Sequence, residues 1–120
     1  MVKVSNQDIL DHYDADFEYI QQRFPNAKFD IGIDRNKLTD ILTSDKQIII
    51  KQDFFCRCYG CEDIDHRPPN KYFIINNDVM SYENVLDELI KQNCVADCDH
   101  RFLELIVKTS DVQYEMWMGS

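Results

Sequence analysis

Ser81-Tyr82-Glu83-Asn84-Val85-Leu86-Asp87-Glu88-Leu89-Ile90-Lys91-Gln92 repeats its apolar residues with the period of an α-helix. Counted from Tyr82, residues Val85, Leu86, Leu89 and Ile90 follow at offsets of three, four, seven and eight. That spacing puts one apolar stripe on one face. The Ser81 hydroxyl can accept a hydrogen bond from the first turn, and Glu83 suits the positive end of the helix dipole. The segment therefore predicts a helix whose Tyr82, Val85, Leu86 and Leu89 are among the most buried residues of the chain.

Strand patterns flank this helix on both sides. Upstream, Lys46 to Phe55 and Lys71 to Asn76 are rich in β-branched and aromatic residues, and Asn76-Asn77-Asp78 is turn chemistry. Downstream, Arg101 to Lys108 and Val112 to Met118 are joined by Thr109-Ser110-Asp111 and predict a β-hairpin. Period alone leaves a short helix open for Phe102 to Val107; Ile106-Val107 and the polar turn favour the strand. Nearer the N-terminus, Ile9, Tyr13, Phe17, Ile20 and Phe24 form a helical stripe within Asn6 to Phe24, closed by Pro25-Asn26. Phe29, Ile31 and Ile33 alternate as a half-buried strand. Asp34 then caps a short helix that would carry Leu38, Ile41 and Leu42 inward, and Thr43-Ser44-Asp45 is a turn. The expected fold is α+β: a single small domain over residues 1–120, with an antiparallel or mixed sheet of about five strands and about three helices.

Composition narrows the function classes. A chain of 120 residues with 44% hydrophobic residues is long enough for one real core. Three Gly and three Pro leave no room for a repeat-rich or linker-rich chain. Runs such as Ile48-Ile49-Ile50 are far too short to span a bilayer. Met1 to Leu10 is polar and lacks the apolar core of a secretory signal, so an intracellular protein is expected, in cytoplasm or nucleus. A net charge of −9 repels nucleic-acid phosphates and anionic membranes, and the basic residues are scattered. Neither a nucleic-acid nor a membrane partner is expected. No Gly-rich phosphate loop and no serine elbow is present.

The chemically suggestive motif is Cys56-Arg57-Cys58-Tyr59-Gly60-Cys61. In a reducing compartment, five cysteines point to thiols or metal ligands rather than disulfides. Zinc takes four N or S ligands in a tetrahedron. A turn at Tyr59-Gly60 can supply two of them, and Cys98-Asp99-His100 offers two more. The candidate metal set is Cys58, Cys61, Cys98 and His100, complete if the sheet brings the two segments together. Cys56, His66 and Cys94 are further donors of the right type. The spacing is not that of a zinc finger or ribbon, and buried reduced thiols are the plain alternative. A redox enzyme using Cys58 and Cys61 is a second alternative. It is disfavoured by Glu62, Asp63 and Asp65, which raise a nearby thiol's pKa, and by Pro68-Pro69, which blocks a long helix. Asp11, Asp14 and Glu18 share a helix face. It reads as a solvated face or, more sharply, as an acidic mimic of nucleic acid that blocks a basic partner.

Several segments together resemble small uncharacterised proteins of large double-stranded DNA viruses. They are Met80-Ser81-Tyr82 with Val85 and Leu89-Ile90, Cys98-Asp99-His100-Arg101-Phe102-Leu103-Glu104, Asp111-Val112-Gln113-Tyr114 and the terminal Gly119-Ser120, with the cysteine cluster upstream. The resemblance brings no activity with it and implies a viral protein acting in a host cell. The expected function is a non-enzymatic accessory or interaction domain with a protein partner, stabilised by a structural zinc.

Overall fold

The structure, a computed structural model, describes residues 17–52, 71–96 and 102–119. Alternation of β-branched and aromatic residues builds the sheet. Its strands are β1 (Asp30–Ile31), β3 (Gln47–Gln52), β4 (Lys71–Asn76), β6 (Phe102–Lys108) and β7 (Gln113–Gly119). Their order is β1-β6-β7-β3-β4. The β6–β7 and β3–β4 pairs are antiparallel, whereas β3–β7 and β1–β6 are parallel. The sheet is therefore mixed, and residues 102–108 are strand rather than helix. A small second sheet pairs β2 (Ile41–Thr43) with β5 (Met80–Ser81).

Two α-helices lie among the described residues: α1, helical over 17–23, and α2 (Tyr82–Lys91). Ser81 caps α2 as its chemistry dictates, its Oγ accepting from the Asn84 amide at 3.3 Å. Two more first-turn amides find main-chain acceptors: Tyr82 donates to the Asp40 carbonyl and Glu83 to that of Leu38. At the other end Asn93 takes φ 60°, the left-handed conformation that ends many helices. The Asn93 amide then bonds the Ile90 carbonyl and the Cys94 amide that of Leu89. This turn directs Cys94 inward.

Val85, Leu86 and Leu89 are fully buried on the inner face of the sheet, together with Ile48, Ile50, Phe73, Ile75, Leu103, Tyr114 and Met116. Tyr82 is only half-buried and packs at the rim of this core, so the expected quartet is a trio. From α1, Ile20 and Phe24 join the core. Phe17 does not: it is 44% exposed and lines an open cleft with Ile20, Gln21, Phe24 and Asp30. Arg23 ties the helices together, its guanidinium donating to both Asp87 carboxylate oxygens at 2.9 and 3.2 Å, with Glu83 at 3.7 Å. The hydrogen bond to Asp87 raises the Arg23 pKa against the opposing effect of burial.

The expected third helix is corrected. Asp34 does cap a turn, its carboxylate accepting from the Asn36 amide at 2.9 Å. The turn is a 3-10 helix of three residues, Arg35–Lys37. Ile41 and Leu42 belong to β2, and Ile41 is 57% exposed rather than inward. Three consecutive β-branched or apolar residues, Ile41-Leu42-Thr43, pair more readily with β5 than they continue a helix. Only Leu38 of that stretch is buried.

Candidate functional site: an open sheet face and a buried polar link at the sheet end

Pleating sends alternate residues of each strand to opposite faces. The helices and the core take one face. The other carries Ile49 and Lys51 of β3, Tyr72 and Ile74 of β4, Leu105 and Val107 of β6, and Glu115 and Trp117 of β7. Register makes them neighbours. Ile49 is opposite Ile74, Lys51 lies between Tyr72 and Glu115, Glu115 is also opposite Val107, and Leu105 is opposite Trp117. The β6–β7 register shifts between Leu103 and Leu105, so that Glu104 is an extra residue and Leu105 turns outward. Exposures are 59% for Tyr72, 54% for Ile74, 46% for Leu105 and 50% for Trp117. The result is an apolar surface crossed at its centre by the adjacent Lys51 and Glu115.

At one end of the sheet lies a buried polar link. Gln52, the last residue of β3, is 1% exposed. Its Nε2 donates to the Val95 carbonyl at 2.9 Å, and its Oε1 accepts from the Cys94 Sγ at 3.4 Å. Cys94 is itself buried. Gln52 pairs with Lys71 and with Met116, and Phe102 pairs with Gly119 at the same end. Thus Gln52 and Lys71, which flank residues 53–70, and Ala96 and Phe102, which flank residues 97–101, all lie toward this end.

The predicted ligands Cys58, Cys61, Cys98 and His100 lie outside the described residues, as do Cys56, His66, Asp11 and Asp14. Among the described residues, no group of three His, Cys, Asp or Glu side chains could hold a metal ion. Glu18 is exposed. Cys94 is a buried donor to Gln52. No helix among the described residues is long and apolar enough to cross a membrane.

The sequence pattern separates the open face poorly from the core. Tyr72-Phe73-Ile74-Ile75 is apolar at every position, so its alternation carries no inside-outside signal. The signal available was Trp117, which alternates with Tyr114, Met116 and Met118. Comparison with protein-family models, with curated proteins and with solved structures gave no match.

Proposed function

We propose that this chain is a non-enzymatic interaction domain that binds a protein partner through the outer face of its sheet. The observation that carries the reading is that Leu105 and Trp117 on β6 and β7, and Tyr72 and Ile74 on β4, each about half exposed, share one face. Exposed large apolar side chains bordered by polar groups mark interaction sites. Fully burying a large apolar side chain returns about 1.5–3 kcal/mol, so covering these four half-exposed ones returns roughly 3–6 kcal/mol. That is comparable with the cost of association alone. A stable complex therefore also draws on the surrounding polar groups, and the adjacent Lys51 and Glu115 would set its orientation. The net charge of −9 favours a partner with a basic surface. The protein acts inside a cell, in the cytoplasm or nucleus of a host.

Partner capture from that cell compares the native chain with Trp117→Ser and Leu105→Ser, both checked for native circular dichroism. A partner retained by the native chain and lost from both variants is the expected result. Equal retention by all three would overturn this face as the binding surface.

A structural zinc held by Cys58, Cys61, Cys98 and His100 is the second element of the proposal. It is supported by the Gln52–Val95 hydrogen bond, which joins the flank of residues 53–70 to the flank of residues 97–101. Two thiolates from one segment and a thiolate with an imidazole from the other make a closed ligand set. Elemental analysis of protein purified without chelator should find one zinc per chain. Zinc-free protein of unchanged stability would remove this element and leave the interaction surface standing.

A further inference from the structure

Among the described residues the long strand β4 ends the sheet, and its main chain shows which groups face outward. In an antiparallel pair, successive residues direct their N–H and C=O alternately to the two sides. The Ile49 amide bonds the Val112 carbonyl, on the β7 side. Ile48, Ile50 and Gln52 therefore serve β4 through Ile75, Phe73 and Lys71, their partners in register. Tyr72 and Ile74 are left to turn their main-chain groups away from the sheet. Gln92 confirms the direction: its Nε2 donates to the Ile74 carbonyl from outside at 2.8 Å. Among the described residues, no other partner meets the outward groups of Tyr72 and Ile74. Their side chains are the two most exposed of the open face, at 59% and 54%.

We infer that β4 pairs antiparallel with β4 of a second copy of this chain, forming one continuous sheet across a two-fold axis at Phe73. In this register Tyr72 stands opposite Ile74 of the other copy, and Ile74 opposite its Tyr72. Each pair exchanges both N–H···O bonds, because all four residues point outward. A carbonyl has two lone pairs, so Ile74 accepts the new bond and keeps that of Gln92. On the open face each Tyr72 lies against an Ile74, the aromatic with β-branched contact that stabilises cross-strand pairs. The interface is isologous, and the edge is its own complement. Lys71–Asn76 holds one lysine and no carboxylate, so two chains of net charge −9 meet along a segment that adds no acidic contact. The remaining repulsion is long-range and screened by salt. One strand edge with its flanking side chains lies at the small end of interface sizes, so the dimer is weak and depends on concentration.

Sedimentation equilibrium of the full chain over a range of concentrations, at low and at moderate salt, tests this. The expected result is a monomer–dimer equilibrium that strengthens with salt. Ile74→Lys places a lysine on the edge, as natural sheets do to prevent pairing, and should weaken the dimer by about tenfold or more. Tyr72→Pro removes an outward N–H that no bond to β3 uses, and should do the same with β3–β4 pairing intact. Leu105→Ser, on the same face but away from the edge, should leave the dimer unchanged. A chain monomeric throughout, or a dimer that weakens with salt, would overturn the inference. So would a dimer lost in Leu105→Ser and kept in Ile74→Lys, which would signal stacking of faces rather than joining of edges.

Discussion

Gln52 shows what one polar side chain does inside an apolar core. Its amide serves the Val95 carbonyl and the Cys94 thiol at once, so neither is left unsatisfied. Gln52→Met keeps the length and removes both bonds. Urea denaturation should show a loss of about 1–3 kcal/mol, the usual cost of a buried unsatisfied group. A change under about half a kcal/mol would mean that the link does not hold the sheet end to residues 94–96. Gly32 is constrained differently. A Cβ there would run into the Phe102 ring, on the neighbouring strand β6. Gly32→Ala must displace that ring and should cost about 1–3 kcal/mol by overpacking, read from the same denaturation curves. Unchanged stability would show that the Phe102 ring moves aside at no cost. Neither role was legible in the chain as written. The alternation Ile48, Ile50, Gln52 does put Gln52 inward, but its polarity argues the other way, and only the Val95 carbonyl resolves the conflict. Gly32 reads as one position of an alternating strand until β6 is placed beside it.

Among the elements, α2 was legible because two signals agree: the cap at Ser81 and the apolar stripe. Leu86 is fully buried under it. Leu86→Ala should therefore cost about 2–5 kcal/mol, measured by thermal or chemical unfolding. A loss under about half a kcal/mol would place α2 at the periphery. The hairpin β6–β7 was legible for a similar reason, since a polar turn separates two apolar runs. Residues 34–42 were misread because the Asp34 cap is genuine and local. What converts Ile41–Thr43 to a strand is pairing with β5, a contact distant in sequence. The parallel β3–β7 pairing is another such contact. Local patterns give strands and their faces; order within the sheet comes from partners far along the chain.

At the scale of the whole molecule, a one-sided helical layer leaves the sheet with a second face. Few charges lie on that face although the chain carries −9 overall. A zinc held by Cys58, Cys61, Cys98 and His100 would join segments from two parts of the chain. Metal binding would then be part of the folding free energy. Chelation should lower the melting temperature of the native protein, and Cys61→Ser should lower it without chelator. At this chain length each lost kcal/mol corresponds to roughly 3–6 °C. Identical melting curves for native, chelated and Cys61→Ser protein would exclude a structural metal there. Partner binding through the outer face of the sheet requires that this face be open to water in the isolated chain. Trp117 lies on that face, half exposed, and is the only tryptophan in the sequence. Acrylamide quenching of its fluorescence, in protein dilute enough to be monomeric, reads that exposure directly. Red-shifted emission, quenched nearly as efficiently as that of an indole in water, is the expected result. Blue-shifted emission that resists acrylamide would mean that the chain covers this face itself, and that the surface proposed for a partner is not available.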